Sequence, residues 1–368
     1  MSSKVYFVNL RARSEKENKV NKIQKLFDAA GFKDLISKDD LTAIKVHFGE
    51  KGNDGYVNPV FARQIVDKVK QAGGNPFVTD TNTLYIGSRH NAVNHSITAI
   101  EHGFNYAVVG APVIIADGLK SQNIVDIEIS KKQFKSVKIA GDIVNADSMI
   151  VISHFKGHPL AGFGGAIKNL AMGCAPFAGK KDQHSPRPII MTENCIGCGK
   201  CITICPGKAI TLEDKKAQID QGLCEGCCEC ITLCSSRAIE IDWATEIVPF
   251  MEKMTEYAYG AVKGKENKIG YINFLINITP DCDCFPFSDT AIVPDIGILA
   301  STDPIALDKA SYDLVNKQQG FEHTQLCENL ESGKDKFKGI NAHTQGLIQL
   351  EYGEQLGIGT MNYELIEI

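Results

Sequence analysis

Eight cysteines in one short block carry the clearest chemistry in this chain of 368 residues. Cys195, Cys198, Cys201 and Cys205 are spaced C-x2-C-x2-C-x3-C and are followed by Pro206. Cys224, Cys227, Cys230 and Cys234 repeat the spacing, with Ser235 where the first run has proline. Closely spaced thiolates are soft ligands, and four of them on tight loops suit an iron–sulfur cubane. A zinc knuckle is the other metal reading, but it rarely uses two four-cysteine runs of this spacing. Cys228 is a ninth cysteine in the block and, by spacing, a spare.

The block resembles the bacterial two-cluster ferredoxin over residues 187–242. That resemblance implies two [4Fe–4S] clusters, with the fourth cysteine of each run serving the other cluster. One cluster then takes Cys195, Cys198, Cys201 and Cys234, and the other takes Cys224, Cys227, Cys230 and Cys205. The flanking segments AITLED and AIEID match the short strands of the two ferredoxin halves. Such a pair is an electron conduit; it names no substrate.

The segment just before the cysteines raises the question of a ligand. From Ser148 to Thr192 there is one acid, Asp182, against Lys156, Lys168, Lys180, Lys181 and Arg187, with His154, His158 and His184 added. The stretch HFKGHPLAGFGGAIKNLAMGC follows an apolar run that reads as a strand, and ligands bind beyond the C-terminal ends of strands in open α/β sheets. Gly162, Gly164 and Gly165 read as a turn entering a helix, where backbone N–H groups and a nearby lysine favour an anion. The plainer reading is a turn kept small for close packing. His47 and Glu50 follow a second strand, and Asp80, Thr81 and Asn82 a third, so these loops are placed to face the same crevice, although Asp, Thr and Asn are also ordinary turn residues. Cys282 and Cys284 in PDCDC, with Cys174, are candidates for a further metal site alongside His158 or His184; buried, reduced thiols are the alternative. Cys327 reads as incidental. Asp295 and Asp303 read as structural, one in a tight turn and one capping a helix.

Outside the cysteine block, KVHFGEKGNDGYVNP, HFKGHPLAGFGGAIKNLAMG, KKDQHSP and DTAIVPDIGILASTDPIALDKASYDL are similar to the DUF362 family, whose members are often fused to ferredoxin modules. The family name implies little about activity. HPLAGFGGAIKNLAMG is also similar to the motif of nickel-pincer lactate racemases. In that family a histidine precedes the cofactor-bearing lysine and a metal-ligating histidine follows it; His158, Lys168 and His184 stand at the matching places. A further upstream histidine of that family corresponds to His90 or His95. The racemases lack the cysteine insert, so the resemblance implies a shared site position more than a shared reaction.

These residues need a scaffold, and the chain alternates strand-like and helix-like segments on both sides of the cysteines. KVYFVNL (4–10), TAIKVHF (42–48), NPFVTD (75–80), residues 111–116, SMIVIS (148–153) and KIGYINFLIN (268–277) read as strands. Helices are expected over 14–32, 58–74, 92–103, 243–263, 303–318 and 341–357, punctuated by Asn58-Pro59, Asp303-Pro304 and glycine stops. Strands spaced by helices point to an α/β domain with a mostly parallel sheet and flanking helices, interrupted by a small α+β ferredoxin-like insert. The expected boundaries are 1–186 and 243–368 for the two parts of the α/β domain and 187–242 for the insert.

Hydrophobic residues are 43% of the chain, charged residues 23%, and the net charge is −5. Nothing in that balance points to nucleic acid or a membrane surface. No apolar run is long enough to cross a bilayer and no leader is read at the start, so the expectation is a cytoplasmic protein whose cysteines bind metal rather than form disulfides. Three functions follow. The chain is a ferredoxin-dependent oxidoreductase, its clusters exchanging electrons with a redox partner protein and with a small anionic substrate or cofactor held by His158, Lys168 and His184, with Gly162, Gly164, Gly165, His47 and Asp80 lining the site. Or it is an electron carrier or metallocofactor maturation factor without turnover. Or it is a racemase-like metal-cofactor enzyme with structural clusters.

Overall fold

The computed structural model describes residues 2–84, 87–184, 188–224, 229–241 and 243–368. Cys227, Cys228, Arg187 and the expected boundaries at 186, 187 and 242 lie outside the described residues. Eight strands make the central sheet: β1 (Ser3–Asn9), β2 (Leu41–Val46), β3 (Asn75–Asp80), β4 (Val113–Ile115), β5 (Ser148–His154), β6 (Ile269–Leu275), β7 (Gly297–Ser301) and β8 (Tyr363–Glu367). Their order is β8-β1-β7-β6-β5-β2-β3-β4. Only β7 runs against its neighbours; the other pairs are parallel.

The unbroken apolar runs of β5 and β6 follow from this topology, because parallel strands are covered on both faces. Both strands are buried at every position. Along β5 the side chains alternate between two cores: Met149 and Val151 enter one, Ile150 and Ile152 the other. The second core is closed by α1 (Lys19–Ala29), α2 (Pro59–Ala72) and α3 (Ala92–Glu101). The first is closed by α4 (Ala166–Gly173), α6 (Trp243–Val262), α7 (Pro304–Asn316) and α8 (Ile348–Leu356), with α5 (Phe177–His184) packed along α6. The result is a three-layer α/β architecture in which strands from before and after the cysteine block share one sheet.

The expected caps are in place. Asn58 accepts the N–H of Val60 at 2.9 Å, and Asp303 accepts those of Ile305 and Ala306 at 2.9 and 3.0 Å. The C-terminal end differs from expectation. The last helix covers Ile348–Leu356 rather than 341–357, and the chain ends as β8, paired in parallel with β1. Gly346, two residues before the helix, lies against the Phe163 ring, where a Cβ would come within 2.8 Å of Cδ1. β7 was not expected either, since GILAS is short and poor in β-formers.

The cysteine block forms its own small unit. Pro188–Ile190 pairs antiparallel with Ile239–Ile241, and Ile210–Glu213 with Lys216–Ile219. Short helices Lys200–Ile204 and Glu229–Leu233 pack together. AITLED and AIEID do contain strands, but each pairs with another segment rather than with the other.

Candidate active site

The ends of β2, β3 and β5 and the loop after β6 surround a cavity of about 90 Å³. A single water needs roughly 10–15 Å³ measured this way, so the space suits a small ligand rather than one solvent molecule. Strand polarity explains the gathering: the parallel strands all end on this side, and each is followed by a polar loop. His47 follows β2, Asp80 and Thr81 end β3, His158 follows β5, Lys168 lies on α4, and Lys180 and His184 lie on α5.

The floor is an ion-pair network. Lys45 Nζ lies 2.9 Å from Asp80 Oδ1 and donates to Asn169 Oδ1 at 2.7 Å. Arg89 reaches Glu50 Oε2 through Nε at 3.0 Å, and its Nη1 lies 3.6 Å from Asp80 Oδ2. Burial alone raises a carboxyl pKa, but here Lys45, the neighbouring histidines and Arg89 outweigh it and hold Asp80 well below the carboxylate range. His47 Nδ1 accepts Gly49 N–H at 3.0 Å, and its Nε2 lies 3.1 Å from Arg89 Nη1. Burial and Arg89 push it down to about 3, so it is neutral at physiological pH.

The opposite wall comes from the stretch after β5. Lys156–His158 and Gly162–Gly164 form a short antiparallel ribbon, and α4 follows. His158 Nδ1 accepts the N–H groups of Leu160 and Ala161 at 3.1 and 3.0 Å, which leaves the proton on Nε2. Burial and Lys168 lower its pKa to about 4. Burial and His158 lower that of His184 to about 3. Lys168 Nζ donates to Cys282 Sγ at 3.3 Å. Lys180 Nζ donates to Thr81 Oγ1 and to Ala175 O, both at 2.5 Å, and burial lowers its pKa to about 8. Neither Lys168 nor Lys180 has a carboxylate in ion-pair contact among the described residues.

The start of α4 is not open to a ligand. Asp308 Oδ1 and Oδ2 accept the N–H groups of Ala166 and Ile167 at 2.8 and 2.9 Å, and Asn273 Nδ2 donates to Oδ1 at 2.7 Å. The expected anion-binding helix start is thus filled by a carboxylate of the chain itself, and the lysine side chains are left to meet a ligand. Gly165 makes this approach possible, since a Cβ there would fall 2.3 Å from Asp308 Oδ1.

His158, Lys168, His184, His47, Asp80, Gly164 and Gly165 therefore line one cavity, as do Thr81, Cys282 and Cys284. Gly162 does not; with φ of 74° it packs against Gly346. Glu50 stands behind Arg89, and Asn82 turns to Asp117. His95 is buried 3.8 Å from Asp80, and His90 stacks on Phe177; neither lines the cavity. Cys174 is buried apart from Cys282 and Cys284. Sequence reading missed Lys45, Arg89 and Asp308 as site-forming residues. Lys45 carried a signal, a charge inside a strand otherwise apolar. Asp308 carried none, because its partners are 142 and 141 residues away.

In the insert, Cys201 and Cys230, the third cysteine of each run, share a small core with Ile210, Ala217 and Ile239. Cys195, Cys205 and Cys234 pack against it, Cys224 is half-buried and Cys198 is exposed. Ala209 N–H and Ala238 N–H donate to Cys205 and Cys234 at 3.3 and 3.2 Å, the same offset in both halves, and Ala217 N–H donates to Cys195 at 3.4 Å. Sulfur attracts such donors best as a charged, metal-bound thiolate, so these residues fit cluster ligands.

No helix among the described residues is long and apolar enough to cross a membrane. Among solved structures, the lactate racemase apoprotein from Thermoanaerobacterium thermosaccharolyticum is similar at 14% identity and a TM-score of 0.38, covering 69% of this chain and 49% of that one. This chain thus spans about half the length of that structure. No curated protein matches. Residues 42–313 match the model described as a domain of unknown function, DUF362. That match takes in β2 to β7 and every residue of the cavity, and the chain belongs to the DUF362 family.

Proposed function

We propose that this chain is an iron–sulfur redox protein in which two [4Fe–4S] clusters relay electrons between a redox partner protein and an anionic substrate or cofactor bound in the crevice. One observation carries the reading. Lys168 and Lys180 line the cavity with no carboxylate in ion-pair contact among the described residues, and α5, which supplies Lys180 and His184, ends just before the cysteine unit begins at Pro188. When bound, the clusters supply one-electron transfer. The chain does the rest. Lys168 and Lys180 hold the anion, Arg89 and Lys156 are already matched by Glu50 and Asp283, and a histidine of the cavity, His158 or His184, is the proton donor.

The test is anaerobic reconstitution with iron and sulfide. The expected result is full iron loading and a reduced-cluster electron-spin signal that a panel of carboxylate and phosphate acceptors discharges in the native chain. Lys168→Ala should keep the iron and lose the discharge. Absent iron, or equal discharge in both proteins, would reject the enzyme reading; the second result would favour a plain electron carrier. A metal-cofactor reading is favoured by the convergence of His158, Lys168 and His184 on one cavity, and nickel analysis of purified protein decides it.

A further inference from the structure

The helix α3 has its usual faces exchanged. Against the sheet it buries His95, Thr98 and Ala99. Toward solvent it turns Val93, Ile97 and Ile100, which are 58, 48 and 53% exposed. Those three stand at i, i+4 and i+7, one above another on a single stripe. A surface helix ordinarily shows charge there, as α1 of the same layer does with Lys25 and Asp28. Two further side chains extend the stripe. The carbonyl of Leu119 accepts Ala92 N–H at 3.0 Å, which sets that leucine beside the start of the helix. At the other end, Gly103 N–H donates to Ile100 O at 3.0 Å and Phe104 N–H to Ala99 O at 2.8 Å, and this turn leads to Tyr106. Leu119 and Tyr106 are both 67% exposed.

We propose that this stripe is the contact of a symmetric dimer, covered by the same stripe of a second copy of the chain. The five side chains present roughly 500 Å² of apolar surface, near the upper end of what a monomer leaves in water. Asn94, Glu101, Ala107 and Lys120 form an exposed rim around them. With that rim each copy approaches the roughly 800 Å² that one partner gives to a stable interface. Charge permits the self-match. From Val93 to Ile100 there is no acid, lysine or arginine, and Glu101 at the edge is already paired with Lys51 Nζ at 3.1 Å. A two-fold axis sets one patch against its own copy, so a stripe of one charge would repel itself and a neutral one does not. Ile97 lies mid-stripe, and the axis beside it brings Ile97 against Ile97. The helix also packs against β4, which ends the central sheet, so the second copy covers the side where a strand edge is left unpaired in that sheet. The proposal needs neither the clusters nor the anion. The inner face of α3 reaches the cavity floor from behind, through Thr98 Oγ1 donating to Ser88 O at 3.1 Å beside Arg89.

The test is the mass of the full chain in solution, by sedimentation at tens of micromolar under reducing, anaerobic conditions. The native protein should run at twice the 40.1 kDa of one chain. Ile97→Glu places like charges against each other and should weaken the dimer at least about a hundredfold, leaving a monomer with an unchanged circular dichroism spectrum. Ile97→Lys should do the same. Mixed in equal amounts at low salt, the two variants should pair again, because the two-fold axis now sets glutamate against lysine. A native chain that sediments as a monomer would overturn the proposal, and its flotation with phospholipid vesicles would assign the stripe to a membrane surface instead. A dimer that survives Ile97→Glu would overturn it by placing the interface elsewhere. Variants that stay apart when mixed would overturn the two-fold arrangement about Ile97.

Discussion

A buried ammonium group keeps its proton only as far as its neighbours replace the water it has lost. Lys180 is met by two neutral oxygens, Thr81 Oγ1 and Ala175 O, and its pKa falls from 10.5 to about 8. The unfolded chain therefore holds this proton more tightly, and the Lys180 contribution to stability rises as pH climbs from about 8 toward 10.5. Anion binding has the opposite sign, because it needs the charge. Sulfate affinity measured by calorimetry should fall about tenfold between one pH unit below and one above the Lys180 pKa. Lys180→Arg, which does not titrate there, should hold a flat profile; a falling one would move the titrating group elsewhere. Lys45 is the contrasting case, a buried lysine with a charged partner. Lys45→Met takes from the buried Asp80 its nearest cation and should cost about 3–5 kcal/mol in urea unfolding. Adding Asp80→Asn should recover much of that loss, and a double variant no more stable than the single one would show the pair is not coupled.

Elements, rather than single residues, decide whether these groups meet. α4 carries Lys168 and Asn169, and its first turn is held by Asp308 of α7 through a gap that only Gly165 leaves open. Gly165→Ala puts a Cβ 2.3 Å from Asp308 Oδ1 and 2.9 Å from the Phe155 ring, so the helix start must shift. The expected cost is about 1–3 kcal/mol in thermal or urea melts, together with weaker sulfate binding because Lys168 moves with the helix. Stability lost without any loss of binding would disconnect the cap from the site. The same element shows why parts of the molecule are readable in sequence and others are not. α2 and α7 announce themselves through Asn58-Pro59 and Asp303-Pro304, since caps act within one turn. His158, Lys168 and His184 are legible because one continuous stretch holds them. β7 and β8 exist because β1 and β6 stand ready to pair with them, and Arg89, Asp283 and Asp308 acquire their roles from partners far along the chain. Local spacing carries no trace of such contacts.

At the scale of the whole molecule, the cysteine unit enters and leaves the α/β domain at one point. Pro188 stands opposite Ile241 and Ile190 opposite Ile239, so the insert begins and ends on a two-stranded ribbon. The central sheet draws β1–β5 from before it and β6–β8 from after it, and its two cores contain no residue of the cysteine unit. A separable core joined through adjacent ends is the condition under which a domain insertion can be reversed. Replacing residues 191–238 by Asn-Gly would close Ile190 onto Ile239 with the two-residue turn that antiparallel pairs favour. The shortened chain should keep the helix and strand content of the α/β domain by circular dichroism. It should bind sulfate within about threefold of the full chain, because Lys168, Lys180 and their partners are untouched and the change in binding energy is under about 1 kcal/mol. It should take up no iron on reconstitution. A chain that loses its melting transition would show that the cysteine unit holds α5 against α6. A chain that folds but no longer binds sulfate would place part of the anion site on the cysteine unit itself, and would tie the crevice and the cysteines more closely than their separate cores suggest.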